Sequence, residues 1–205
     1  MKNRKTILVC FFLASLVLVM VSGCGALGRI EVPIDPEIKE TSPTVEDIPL
    51  EMVEIGEQQI RQWAVEAEAS SEYANPEWSA MQATGAPDTE SCGDYQTAWA
   101  SAESDSISTL VLRFPVAVHV TQVNIIETFN PNQVRVVELL GSFERNIVIY
   151  DKSPSPVDQP CPYTLSIPVE PTEERYDAIR IKLDQSELGL GWNQIDAVEL
   201  IGIEK

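Results

Sequence analysis

The sequence predicts an all-β protein, an antiparallel β-sandwich or jelly roll of about eight strands, preceded by an export signal and an extended acidic tether. Three observations carry this. From Trp63 onward, short runs of β-branched, aromatic and leucine residues are bounded by Pro, Gly, Asn or Asp, as strands and their turns are. Several of the runs alternate with a period of two, and no long amphipathic helix interrupts them. The first residues form a basic cap, Lys2, Arg4 and Lys5, ahead of the uncharged run "TILVCFFLASLVLVMVSG", which is the anatomy of a secretory signal.

That run is long enough to raise a plain membrane anchor, because about 18 to 20 apolar residues span a bilayer. The residues that follow it, "VSGC", Val21 to Cys24, resemble the lipobox of bacterial lipoproteins: a branched apolar residue, two small residues and the cysteine that receives lipid. The resemblance implies a signal peptide over 1–23, lipidation of Cys24, and a membrane partnership through acyl chains, of which stable anchoring needs about two. An uncleaved signal anchor with an incidental cysteine is the other reading. Either way the rest of the chain is expected outside the cytoplasm.

Loss of the signal removes three of fourteen basic residues and leaves eleven against thirty-two acidic ones, a net charge near −21. Nucleic acid is excluded as a partner, since phosphate contacts need a basic surface. Flat contact with an anionic membrane is equally disfavoured, and the charge suits a solvated domain or one that binds cations.

The tether, 24–61, carries Pro33, Pro36, Pro43 and Pro49 among nine acidic and three basic side chains. Proline fixes φ and like charges repel, so an extended spacer is expected. Within it "LEMVEIGEQQIRQW" has the composition of a short helix, interrupted by Gly56.

The folded domain is assigned to 62–205, and its strands follow in order. "WAVEAEA" sets Val65, Ala67 and Ala69 against Glu66 and Glu68, the pattern of a half-buried strand. "STLVLRFP" puts Leu110, Leu112 and Phe114 on one face, and "HVTQVNIIET" forms a further strand that ends at the corner "FNPN". "QVRVVELLG", "NIVIYD", "YTLSIPV", "YDAIRIKLD" and "NQIDAVELIG" complete the set. In "AIRIKL", Ile179, Ile181 and Leu183 alternate with Arg180 and Lys182. A domain of this size buries an adequate core unaided.

Cys92 and Cys161 are the pair left after the signal and the lipid account for Cys10 and Cys24. In an exported protein a disulfide is the default reading, worth roughly 3 to 4 kcal/mol for a loop of this length. A redox or catalytic cysteine is the alternative, although neither lies in a CxxC motif.

The segments "ASSEYANPEWSAMQATGAPDTESCGDYQTAWAS", "LRFPVAVHVTQVNIIETFNPNQVRVVELLG" and "WNQIDAVELIG" resemble galactose-binding-like jelly rolls, the superfamily of discoidin-like domains and many carbohydrate-binding modules. In wording they are most similar to the noncatalytic scarf-type β domain of pappalysins. The likeness spans 63–203 and implies an eight-stranded sandwich. It does not imply proteolysis, since the HExxH helix of that chemistry is absent from this sequence, whose one histidine is His119.

The resemblance also implies a structural calcium held by the long loop and the closing strand, with Asp88, Asp94, Asp196 and Glu199 at the matching places and Thr97 among the further oxygens. Calcium takes six to eight oxygen ligands. The insertion "TESC" lengthens the loop relative to the family's compact form, so turn-capping by these carboxylates stands beside ligation. Trp99 is implied to be a core residue. Trp192, Asn193, Phe129 and Asn130 lie in loops and could form a ligand platform with hydrogen-bond partners, or cover the sandwich ends. The function expected is a noncatalytic surface lipoprotein that binds a glycan or an envelope protein through its loops. An assembly module without a small ligand is the alternative, and an envelope polysaccharide hydrolase lacks a visible nucleophile and base.

Overall fold

The computed structural model describes residues 58–204 apart from 143–144 and 159–160. The signal, Cys24 and nearly all of the tether lie outside the described residues. Among the described residues no helix is long and apolar enough to cross a membrane.

Eight strands build two facing sheets: β1 (Gln59–Trp63), β2 (Glu66–Ala69), β3 (Ile107–Phe129), β4 (Val134–Leu139), β5 (Ile147–Asp151), β6 (Tyr163–Pro168), β7 (Tyr176–Asp184) and β8 (Gln194–Ile203). One sheet runs β1-β8-β3-β6 and the other β2-β3-β7-β4-β5, every pairing antiparallel. β3 belongs to both. Its first part pairs with β2 and β7, and its second with β8 and β6.

The sequence suggests two strands here because of Pro115, yet the 23 residues of β3 run on. Pro115 sits where the register with β7 shifts between Arg113 and Val118, the kind of bulge that tolerates a residue without an N–H. The Gln62 side chain meets the backbone left unpaired there, donating to Val116 O at 2.7 Å and accepting from Val116 N at 3.0 Å. A second bulge, with Thr121 as the extra residue opposite β8, moves the core face from Leu110, Leu112, Phe114, Val118 and Val120 to Val123 and Ile125.

Two other expectations are corrected. Gln59–Trp63, the end of the helix-like stretch, is the edge strand β1, bonded along its length to β8, so the domain starts ahead of residue 62. "WAVEAEA" is not one strand, because the chain changes sheets in the middle: Ala64 N bonds Val198 O and Val65 N bonds Arg113 O. Ala64 is therefore buried and Val65 is 52% exposed.

Between β2 and β3 lies a long loop, 70–106, whose only helical turn is Ala80–Ala83. Trp99 pins it. Fully buried, it exchanges backbone bonds with Ile195 at 2.8 and 3.1 Å and donates Nε1 to Ser71 O at 3.2 Å. Cys92 in this loop is bonded to Cys161, Cα atoms 5.1 Å apart.

Candidate functional site

Trp78, in the long loop, holds a left-handed backbone, φ 54°, unusual for a bulky side chain and a mark of a constrained position. Its amide donates to Gln96 O and its carbonyl accepts from Ala100 N. Tyr73, 54% exposed, packs edge-on against it with centroids 5.3 Å apart, and edge-on against Trp192 at 5.5 Å. Trp192 enters from the loop between β7 and β8. Together with Asp94, Ala100 and Gln194 these three aromatics line a small open cleft of about 40 Å³.

Asp94 lines this cleft. Its Oδ1 accepts from Trp78 Nε1 at 2.9 Å and from Gln194 Nε2 at 2.6 Å. Gln194 Oε1 in turn accepts from Tyr95 N at 3.0 Å. The first residue of β8 thus links the acid to the backbone of Tyr95.

The other loop residues named from the sequence separate. Asn130, at φ 41°, donates Nδ2 to Leu190 O at 2.8 Å and Trp192 O at 3.0 Å, so it sets the loop that carries Trp192. Asn193 is fully buried; its Nδ2 donates to Glu127 Oε1 at 2.6 Å. Asn130 also lines, with Phe129, a hollow away from the aromatic cleft, beside the Cys92–Cys161 bond. Of the four, Trp192 alone reaches the cleft.

The carboxylates proposed as metal ligands also divide. Asp196 lies at a bulge of β8, between Ile195 and Ala197 that pair with Glu127 and Ile126. It is 1% exposed, its Oδ2 accepts from Thr89 N at 3.4 Å, and its Oδ1 has no hydrogen-bond partner. Burial raises its pKa, the Thr89 hydroxyl and amide oppose that, and the adjoining Asp88 carboxyl raises it further. Beside them the hydroxyls of Thr89 and Thr97 stand 2.6 Å apart.

A buried acid facing a second acid, with one oxygen orphaned and hydroxyls nearby, is a donor set that fits a hard cation. Glu199 does not belong to it: Arg61 grips both of its oxygens at 2.9 Å and Asn124 Nδ2 donates to it at 2.8 Å. Of the four carboxylates, Asp88 and Asp196 adjoin, while Asp94 bonds Trp78 and Gln194 in the cleft. Among the described residues no group of three or more His, Cys, Asp or Glu converges on one point.

A family model, the pappalysin-1 SD scarf domain, C-terminal, matches residues 55–205. The chain belongs to that family. The structure of this scarf domain is similar to three sugar-binding modules. They are the family 32 carbohydrate-binding module of C. perfringens NanJ in complex with galactose (14% identity, TM-score 0.50, 69% of this chain and 99% of that one), chitosan-binding module 1 of a chitosanase/glucanase from Paenibacillus sp. IK-5 (14%, 0.50, 66% and 92%), and the lectin domain of lectinolysin with Lewis B antigen (12%, 0.50, 68% and 93%). At such identities the likeness establishes the jelly-roll fold. No curated protein matches the sequence.

Sequence reasoning missed Tyr73 and Trp78. The signal available was "SEYANPEW", two aromatics flanking a proline in an otherwise polar stretch, which is not what a core segment looks like. His119, the one histidine, has Nδ1 2.7 Å from Thr172 O.

Proposed function

We propose that this scarf domain is a noncatalytic glycan-binding module, tethered outside the cytoplasm by lipid on Cys24, and that saccharide is engaged at the Tyr73–Trp78–Trp192 cleft. The observation that carries the reading is the aromatic cleft itself. Three rings are held by hydrogen bonds and edge contacts at a loop-built end of the sandwich, and Tyr73 stays open to solvent. A pyranose presents a C–H face that packs on such rings, with polar groups fixing its orientation. A cavity of about 40 Å³ takes one edge or substituent of a sugar, so the bulk of the glycan lies over Tyr73. The jelly-roll modules that share the fold and bear sugar ligands in their names support the same reading.

A structural calcium between Asp88 and Asp196 belongs to this proposal as a brace for the long loop. Both residues lie outside the cleft lining, so the ion would act through loop position rather than on the ligand.

The experiment is titration of the full chain against a panel of neutral, amino and uronic oligosaccharides by calorimetry. Binding that weakens at least about tenfold, 1.4 kcal/mol, in both Tyr73→Ala and Trp192→Ala fits the proposal. Silence across the panel, with the chain folded, would overturn it in favour of a module that docks on a protein.

A further inference from the structure

The cleft's own hydrogen-bonding capacity narrows the ligand. Of its lining residues, each indole N–H is already used: Trp78 Nε1 donates to Asp94 and Trp192 Nε1 to Ser101 O at 3.0 Å. Gln194, 1% exposed, spends Nε2 on Asp94 and Oε1 on the Tyr95 amide. The backbone at Ala100 is spent as well, its N–H on Trp78 O and its carbonyl on Tyr73 N.

What remains is one-sided. Both recorded bonds to Asp94 use Oδ1, so Oδ2 is a free charged acceptor on an exposed residue. The rings of Tyr73, Trp78 and Trp192 line the same cleft, and the face of an aromatic ring attracts positive charge. Of the lining side chains, the donors left are the exposed Tyr73 hydroxyl and the second Nε2 proton of the nearly buried Gln194. None of the six lining residues is basic, and the chain as a whole is at −18.

Neutral sugars need donors and acceptors in comparable numbers, because each ring hydroxyl is both. Uronic acids need donors or cations, and an Asp94 carboxylate repels them. A group with donors alone and a positive charge is complementary on all counts. We propose that the cleft selects an amino sugar, receiving the protonated primary amine of a glucosamine-type residue at Asp94 Oδ2 in the aromatic-lined cleft. The inference rests on the glycan-binding reading and adds the substrate class.

The ammonium also fits the space. It is a compact group with three N–H donors, and the cleft of about 40 Å³ admits such a substituent while the ring it belongs to rests outside on Tyr73. N-acetylation removes the charge and enlarges the group, so both features turn against the acetylated sugar.

The test uses the full chain and four ligands of matched length: a glucosamine oligomer, its fully N-acetylated counterpart, a neutral galactose oligomer and a uronic acid oligomer. The expected result is at least about tenfold tighter binding of the free amine than of the other three, an advantage that shrinks as salt is added. Asp94→Asn keeps an oxygen for Trp78 and Gln194 and replaces the free oxygen by an amide donor. It should therefore erase the preference while leaving thermal stability nearly unchanged.

Equal or tighter binding of the acetylated or neutral oligomer overturns the amino-sugar assignment and leaves the glycan-binding module standing. Absence of binding to all four, in a chain whose melting is intact, removes the glycan reading itself. If Asp94→Asn fails to fold, the salt dependence and ligand ranking of the unaltered chain decide alone: a preference for the amine that salt does not diminish also counts against the proposal.

Discussion

Arg61 on β1 and Glu199 on β8 form two parallel hydrogen bonds, Nε to Oε1 and Nη2 to Oε2, each 2.9 Å. The glutamate side chain is 6% exposed and the arginine 59%. A nearly buried carboxylate is thus neutralised from the solvent side by the edge strand. Arg61→Ala leaves Glu199 with Asn124 alone and is expected to cost about 1 to 3 kcal/mol, read by denaturant unfolding. Glu199→Gln should leave any response to calcium unchanged, because this side chain belongs to the edge of the sheet.

Calcium itself separates Asp196 from the other acids. An ion bound to the folded state at a hundred times its dissociation constant raises stability by about 2.7 kcal/mol. The melting midpoint should rise on adding calcium to chelator-treated protein, and Asp196→Asn or Asp88→Asn should abolish the rise. Asp94→Asn should retain it. A response lost with Asp94→Asn as well as with Asp88→Asn would restore Asp94 to the ligand set suggested by the sequence, and a response kept without Asp88 would refute the Asp88–Asp196 site.

Period-two patterning made most strands readable, and the reason is physical: β7 buries Ile179, Ile181 and Leu183 while Arg180 crosses to Glu138 at 2.9 Å on the outer face. β1 was hidden because an edge strand bonds on one side only and "QQIRQW" has as much the look of a helix. β3 was cut in two by Pro115, whose missing N–H matters only away from a bulge. The cleft was least legible. Tyr73 and Trp192 meet across more than half the domain, a juxtaposition made by the loop that Trp99 pins and Asn130 positions. Asp88 and Asp94 sit six residues apart and read as one set, yet one joins Asp196 and the other Trp78.

Trp192 and Phe129 give a contrast within one pair of expected ligand residues. Phe129 lies beside the disulfide in a separate hollow. Phe129→Ala should leave oligosaccharide affinity within about twofold, against the tenfold or greater loss at Trp192→Ala, each measured by calorimetry. Equal losses would move the binding surface to the disulfide side of the loop end.

Glu127 provides the pH prediction. It is fully buried on β3, and burial raises its pKa from 4.5 to about 7 despite hydrogen bonds from Asn193 Nδ2 and the Asn132 and Gln133 backbone. With a folded pKa above the unfolded one, the native state holds a proton that the unfolded chain has released. The contribution is therefore complete below about pH 4.5 and lost as pH rises through 7, a decline of about 3 kcal/mol across the window at 1.36 kcal/mol per pKa unit. Glu127→Gln cannot titrate, and its amide keeps an oxygen for the Asn132 amide. Unfolding free energies measured from pH 4 to 8 should converge or cross for the two proteins as pH rises, the unaltered chain losing ground to the variant. A difference that stays constant across the range would mean that Glu127 titrates alike in the folded and unfolded states, and that its hydrogen bonds offset burial in full.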